Sequence, residues 1–284
     1  MTRAAASTAG GQTTDLVAGR YRLRGELDGG DAGIVWDAYD ELLHRDVTVK
    51  EIRLPGEVEA DVRERMTRRA LQEARAVAAL DTTAAVRVFD VVEQNGHPWV
   101  VMEVVRGSTL AELLGGGRRL DAADAARVGL AVLEALEVAH RAGVEHCRVT
   151  PANVIIGGDG RIALTDFCVD YADHETTVPA EDLEALGTTL RAALPRRPGR
   201  QLTDLVDALT GSQDRPTPES VRATLEQVLR ESRGHGRGSP SAGDGRGNPR
   251  VAGDDQRTWP LLVALLAAIA VTAVLASTVL GSAG

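Results

Sequence analysis

The chain has 284 residues, a formal net charge of −9 and only 3% aromatic residues. This length suffices for one large or two modest domains with a sizeable core, and the negative charge argues against nucleic acid as a partner. Two cysteines, Cys147 and Cys168, are too few and too central for the disulfide framework of a small secreted protein.

The first half of the chain predicts strands around one helix. Residues 1–18 are small and polar, which predicts a disordered N-terminus and no signal peptide. The runs GIVWDAYD and DVTVKEI are typical of strands beside a Gly-rich turn, and residues 58–80 have a helical composition. The segment AVRVFDVVEQNGHPWVVMEVV then predicts two strands joined by a turn at Asn95-Gly96.

The second half predicts mostly helices. The run DAADAARVGLAVLEALEVAHRAG indicates a long amphipathic helix, with Asp121 as its N-cap and Gly143 as its stop signal. The run NVIIGGDGRIALTDF predicts a hairpin that turns at residues 157–160, and the remainder to about residue 230 is helical. Strands followed by helices indicate a bilobal α+β protein.

The end of the chain has the features of a membrane anchor. Residues 231–258 are rich in Gly, Ser, Pro and charge, which predicts a flexible juxtamembrane linker. Residues 259–281 follow, without charge from Leu261 to Leu280, and this length matches a transmembrane helix. Because Arg250 and Arg257 precede the span, the positive-inside rule predicts a single-pass protein of the cell membrane, with a cytoplasmic N-terminal domain and the C-terminus outside.

The near absence of lysine is the most unusual feature of the composition. Lys50 is the single lysine among 32 basic residues, the others being arginine. A GC-rich genome would replace lysine wherever arginine serves, so a remaining lysine is either an accidental surface residue or a group whose chemistry arginine cannot supply.

Four motifs occur in order and resemble one family. They are the Gly-rich LDGGDAGIVWDAYD, the strand DVTVK ending in Lys50, Glu73 in QEARAVAAL, and HCRVTPANVII followed by LTDFC. Over about residues 20–230, this order resembles the eukaryotic-like (Hanks-type) Ser/Thr protein kinases of bacteria. The resemblance implies a bilobal protein-kinase-like fold, with an N-lobe at about 19–103 and a C-lobe at about 104–230, and favours a phosphate contact for Lys50.

The resemblance also implies a nucleotide site for ATP or ADP, with Mg²⁺. Lys50 would contact the phosphates and pair with Glu73, the backbone of residues 102–105 would bond adenine, and Asn153 and Asp166 would hold the metal. The residues implied for cofactor binding are Gly30, Gly33, Val35, Lys50, Glu73, Glu103, Val105, Asn153 and Asp166.

The departures from the family lie at the reacting end of this site. Arg148 occupies the position of the catalytic aspartate, and a guanidinium cannot accept a proton. Thr150 replaces the lysine of the same loop, and Cys168 replaces the glycine of the Asp-Phe-Gly motif. Asp28 replaces the first glycine of the Gly-rich loop, where a carboxylate would repel a triphosphate.

The C-lobe is also shortened. Soon after Phe167 the chain reaches PAEDLEALGTTL, which resembles the central C-lobe helix with Asp182 as its buried aspartate. Most of the activation segment and the peptide-binding platform have no counterpart, so the sequence argues against protein kinase activity.

Three functions remain open. The first is a membrane-tethered pseudokinase that binds ATP or ADP and regulates an unidentified signalling or envelope-associated protein. The second is a weak phosphotransferase that uses Arg148 as a phosphate clamp, and the third is a nucleotide-free interaction scaffold. Cys147 and Cys168 are either inert thiols or a redox-sensitive pair. The six histidines show no ligand spacing, so no structural metal is expected.

Overall fold

The computed structural model describes residues 16–30, 33–53, 59–167, 179–211 and 215–235. Its first part is an antiparallel sheet in the order β1-β2-β3-β4-β6-β5. The strands are β1 (Leu16–Val17), β2 (Tyr21–Gly30), β3 (Gly33–Asp40), β4 (Arg45–Ile52), β5 (Val88–Gln94) and β6 (His97–Met102). Helix α1 (Ala60–Ala78) packs against β5 and β6. The predicted α+β architecture is therefore confirmed for this lobe.

The second part is mostly helical. Its helices are α2 (Leu110–Gly115), α3 (Ala122–Arg141), α4 (Pro179–Ala193), α5 (Arg200–Thr210) and α6 (Pro218–His235). A small sheet of β7 (Gly107–Thr109), β8 (Val154–Gly157) and β9 (Ile162–Leu164) lies where this lobe faces the first. The bilobal arrangement predicted from the sequence is present.

The predicted turn between β5 and β6 and the predicted ends of α3 are present. Asn95 and Gly96 both have positive φ, at 55° and 77°, which suits the tight turn between β5 and β6. The Asp121 side chain accepts a hydrogen bond of 2.8 Å from the Asp124 N–H and so caps α3, and Gly143 has a φ of 72° beyond its end.

The strand period places the functional residues of β4. Val47 and Val49 are fully buried on one face, in a cluster with Tyr21, Trp99 and other apolar side chains. Lys50 and Ile52 alternate with them, and Ile52 belongs to the larger core under α1. The alternation therefore turns Lys50 toward the cleft between the lobes.

Two predicted boundaries need correction. The folded part begins at Leu16 rather than after residue 18, because Val17 pairs with Tyr21 and its side chain is buried in the sheet. At the other end, α6 continues past residue 230 to His235. No helix in the described ranges is long and apolar enough to cross a bilayer, and the predicted span at 259–281 lies outside them.

Candidate functional site

An apolar pocket opens beside Lys50 in the cleft. About 420 Å³ of empty space, part of it open solvent at the mouth, lies within this pocket. Lys50 and Asp166 form its polar end, and its remaining walls are Ile52, Ala74, Val77, Val86, Val88, Val100, Met102, Thr165 and Phe167. In the sheet register Lys50 lies opposite Val35 on β3 and Val100 on β6. Val35 and Lys50, two of the residues implied for cofactor binding, are therefore neighbours.

Lys50 is bonded directly to Asp166. Its Nζ lies 2.7 Å from Asp166 Oδ1, and the two side chains are only 17% and 26% exposed. Asp166 has a φ of 63°, an uncommon conformation for a non-glycine residue, which directs its carboxylate into the cleft. The sole lysine is thus part of the cleft chemistry and not an accidental surface residue.

The predicted pair between Lys50 and Glu73 is not formed in this structure. The Glu73 carboxylate instead accepts a hydrogen bond of 2.7 Å from Arg69, one turn earlier in α1. The reason is local, because residues four apart meet on a helix surface while the face of α1 turned to the core carries small apolar residues such as Ala70 and Ala74. Asp166 takes the place of Glu73 at Lys50.

Asp182 anchors the loop that contains Arg148. Its side chain is 3% exposed and accepts hydrogen bonds from the N–H groups of His146 and Cys147, at 2.9 and 2.8 Å. His140 Nε2 on α3 lies 2.7 Å from the same carboxylate. Burial raises the pKa of Asp182, but the hydrogen bond from His140 and those from the loop outweigh it, so the net shift is downward. The prediction of a buried aspartate here is confirmed.

His146 joins this loop to the strand before Asp166. Burial lowers the pKa of the imidazole, which is therefore neutral at physiological pH. Its Nε2 donates to the Thr165 carbonyl at 2.8 Å, and its Nδ1 accepts from the Arg148 N–H at 3.3 Å. The ring also packs on Phe167, with a centroid distance of 4.7 Å. His146 therefore acts as a fully used structural bridge.

Asn153 and Arg148 lie together in the loop. Asn153 Nδ2 donates to the Arg148 carbonyl at 2.9 Å, which leaves its side-chain oxygen as a possible metal ligand. The Arg148 side chain is exposed and makes no ion pair or side-chain hydrogen bond with a residue that the structure describes. Thr150 begins a single 3-10 turn over Pro151–Asn153 and carries no charge toward the cleft. The loop thus presents one cation where a proton acceptor would be needed.

The described part of the Gly-rich hairpin, on either side of residues 31–32, uses part of its hydrogen-bonding capacity internally. Gly33 has a φ of 136°, and a Cβ there would collide with the Glu51 carbonyl oxygen, so glycine is required. Gly30 pairs with Gly33 at the tip of the hairpin. The Asp28 carboxylate accepts from the Gly29 N–H at 2.9 Å, which occupies a donor that could otherwise meet a phosphate.

The segment between the lobes is held by a charged clamp. Glu103 accepts two hydrogen bonds from Arg161, at 2.6 and 2.9 Å, and a third from the Arg87 N–H at 2.8 Å. Burial raises the pKa of Glu103, yet the Arg161 and Arg87 hydrogen bonds dominate together and lower it. The Glu103 side chain is therefore structural, and only backbone groups of this segment, such as those at Val105, are left for adenine.

Some functional residues gave no sequence signal. Arg161 follows an ordinary glycine turn, and His140 sits in a regular amphipathic helix, so neither pattern revealed its distant partner. Within the described residues, no group of three or more His, Cys, Asp or Glu side chains is arranged to hold a metal ion. Cys168, the second member of the suggested redox pair, lies outside the described ranges.

Comparison with known proteins agrees with this geometry. Residues 21–179 match the sequence model of the protein kinase domain. A probable serine/threonine-protein kinase of Streptomyces coelicolor is 36% identical over 158 residues, which cover 54% of this chain and 23% of that protein. The probable serine/threonine-protein kinase PknB of Corynebacterium glutamicum is 31% identical over 65% of this chain and 28% of its own length. The serine/threonine-protein kinase PknL of Mycobacterium bovis is 36% identical, with 54% and 37% covered. The matches thus span less than two fifths of these relatives.

Proposed function

The chain belongs to the protein kinase domain family, and from this premise we propose that it is a membrane-tethered pseudokinase. In this proposal the domain binds ATP or ADP and regulates an unidentified signalling or envelope-associated protein through its shape. The tether is proposed from the uncharged run Leu261–Leu280 and the arginines before it. The domain would then be cytoplasmic.

One observation carries the proposal. Asp182 and His146 hold the loop in a fully bonded arrangement, yet the residue at the position of the family's proton acceptor is Arg148, which is exposed. An arginine is always protonated and cannot accept the proton of a substrate hydroxyl. The scaffold of a kinase site is therefore retained while its proton acceptor is replaced by a cation.

The retained side chains fit a magnesium nucleotide. Asp166 and the Asn153 side-chain oxygen are the hard oxygen ligands that Mg²⁺ prefers, and Lys50, which is bonded to Asp166, would contact phosphate oxygens. When bound, the metal would neutralise phosphate charge. Lys50 would have to exchange part of its bond to Asp166 for the phosphates, which makes nucleotide affinity depend on how readily that ion pair opens.

The same ion pair favours a second candidate, a nucleotide-free scaffold. Lys50 and Asp166 already satisfy each other at 2.7 Å, and Asp28 already occupies the Gly29 N–H. In such a scaffold these contacts would close the site permanently.

Nucleotide-dependent melting separates the two candidates. The full chain in detergent or lipid discs is heated with and without Mg-ATP or Mg-ADP. At a tenfold excess over Kd we expect a rise in Tm of about 3–6 °C, because a ligand stabilises the state that binds it. Lys50→Met should abolish the rise, while Arg65→Met, which alters an exposed ion pair on α1, should keep it. The absence of any shift in the unmodified protein at millimolar Mg-ATP would reject the nucleotide-binding function in favour of the scaffold.

A further inference from the structure

Five exposed arginines gather at one end of the helical lobe. They lie in three segments that are separate in sequence: the loop before α3, the loop between α4 and α5, and the last turns of α6. We call this surface the basic end and define it as Arg118, Arg119, Arg196, Arg197 and Arg233. The chain as a whole has a net charge of −9, so a local excess of positive charge requires an explanation.

Hydrogen bonds bring the three segments together. The Leu120 N–H donates to the Ala193 carbonyl at 2.9 Å, which joins the loop before α3 to the end of α4. Gln201 Nε2 donates to Glu231 Oε1 at 3.0 Å, which joins the start of α5 to the last turns of α6. The arginines therefore share one end of the lobe, and their closeness is built into the fold.

The nearby charges do not cancel the basic end. Three further arginines there have acidic partners: Arg127 with Asp124, Arg200 with Asp204 at 3.5 Å, and Arg230 with Glu226 at 3.9 Å. Asp121, which caps α3, and Glu231, which accepts from Gln201 and Gln227, keep their negative charge. The eight arginines named here therefore exceed the five carboxylates by three. By contrast, no arginine of the basic end has an ion pair with a residue that the structure describes.

The basic end lies where the chain leaves the last described helix toward the predicted membrane span. Helix α6 ends at His235, and α6 carries Arg233. The predicted membrane span begins at residue 259, so about 23 residues intervene, and a flexible segment of that length has an average reach of about 25–30 Å. Arg233 thus lies two residues before the end of α6, at the point from which the chain continues toward the predicted span.

We propose that the basic end docks on the anionic lipid headgroups of the membrane in which the chain is anchored. Arginines near an anionic leaflet are attracted to it within about a Debye length, and the tether raises the local concentration of lipid. Docking would direct the cleft away from the bilayer at a defined orientation. This inference rests on the proposed membrane tether, because without the tether the domain has no obligatory lipid neighbour.

Hydrogen exchange in lipid discs tests the docking. The full chain is placed in discs of phosphatidylcholine alone or in discs that also contain anionic phosphatidylglycerol, which gives the surface a negative potential. In anionic discs we expect slower amide exchange for residues 117–121 and 194–200, and the protection should disappear in about 1 M salt, where the Debye length is about 3 Å. Equal exchange in both kinds of disc would overturn the proposal.

A charge reversal supplies the matched control. Arg196→Glu with Arg197→Glu should weaken docking at least about 25-fold, at roughly fivefold for each arginine near the surface. Arg65→Glu with Arg68→Glu makes the same charge change on exposed positions of α1 and should leave the protection intact. Loss of protection in both double variants would overturn a specific role for the basic end, and an unchanged Tm verifies that each variant is folded.

Two further outcomes are decisive. Resistance to alkaline carbonate extraction measures the anchor separately, so a chain that is extracted refutes the tether whatever its exchange pattern. An anchored chain without anionic protection refutes only the docking. A soluble polyanion such as heparin is also added to the chain in neutral discs. If heparin slows amide exchange at the basic end as much as anionic discs do, the basic end is a general polyanion site and the lipid assignment is overturned.

Discussion

Asp40 shows how one buried carboxylate holds the start of the fold. Its side chain is fully buried at the end of β3 and accepts two hydrogen bonds of 2.7 Å from the Arg20 guanidinium. The N–H groups of Leu42 and Leu43 both donate to Asp40 Oδ1, at 3.1 and 3.2 Å. These contacts, led by the Arg20 hydrogen bond, lower the pKa of Asp40 from 3.8 to about 2.

Asp40→Asn should reduce the pH dependence of the free energy of unfolding below pH 4. Because the pKa is depressed in the folded state, ionised Asp40 stabilises the fold fully above pH 4, and this contribution falls as the pH drops toward 2. We expect Asp40→Asn to lower the free energy of unfolding by about 2 kcal/mol at pH 7 and by progressively less below pH 4, as measured by urea denaturation. Asp37→Asn, three residues earlier on β3, is the matched control and should change little. If the difference in the free energy of unfolding between Asp40→Asn and the unmodified protein stayed constant from pH 7 to pH 2.5, this account would be contradicted.

Lys50 shows what a single residue can and cannot indicate. The scarcity of lysine predicted that this position matters, and the structure places it in the cleft against Asp166. The predicted partner Glu73 is bonded to Arg69 instead. A composition argument identifies an unusual residue, but it contains no information about which of two distant carboxylates lies nearer.

At the scale of elements, the β8–β9 hairpin fastens the two lobes. Arg161, at the end of its turn, donates to Glu103 in the segment between the lobes and to the Thr83 and Ala85 carbonyls at 2.8 and 2.9 Å. A guanidinium is suited to this position because its planar donors reach several acceptors at once. The hairpin, the interlobe segment and the loop after α1 are therefore held as one unit.

Arg161→Gln should loosen this unit. We expect a loss of about 2–3 kcal/mol in the free energy of unfolding, because charged hydrogen bonds are removed and Glu103 is left partly buried without its partner. Arg161→Lys should recover only part of the loss, since an ammonium cannot make the two-pronged contact. Denaturant unfolding measures both, and Arg106→Gln is the control, since Arg106 is 79% exposed at 3.3 Å from Asp46. An Arg161→Gln variant as stable as Arg106→Gln would show that the clamp contributes little.

At the scale of the whole molecule, the departures from the family pattern fall in two separate parts of the C-lobe. Arg148 and Thr150 stand in the loop, but only residues 168–178 separate Phe167 from α4. Restoring two side chains supplies a proton acceptor and a phosphate contact. Under the proposed function, it would not restore the peptide-binding surface for which the sequence shows no counterpart.

The double variant Arg148→Asp, Thr150→Lys should therefore remain without protein kinase activity. General base catalysis contributes about 10²–10⁴-fold, which is of no use when the substrate hydroxyl is not positioned. The assay is transfer of label from γ-labelled ATP to a generic Ser/Thr substrate protein, with Asp166→Ala in the same background as the blank. Incorporation above that blank would show that the shortened lobe still presents a substrate.

The sequence by itself determined the elements whose signals are local. The Asn95-Gly96 turn and the Asp121 cap were predictable because positive φ and capping hydrogen bonds involve only neighbouring residues. The order of motifs likewise located Asn153, Asp166 and Asp182, because each stands at a fixed spacing within its motif. The sequence also showed that Arg148 occupies the position of the family's proton acceptor, since this depends on the identity of a single residue.

Only the tertiary structure decided which distant groups meet. It bonded Lys50 to Asp166 across the cleft, joined Arg161 to Glu103, and brought five arginines from three segments to one end of the lobe. None of these contacts has a periodicity or spacing in the chain, because each depends on how strands and helices pack after they form. For that reason the sequence could predict a kinase-like site, while its internal pairing and its charged end became visible only in the folded molecule.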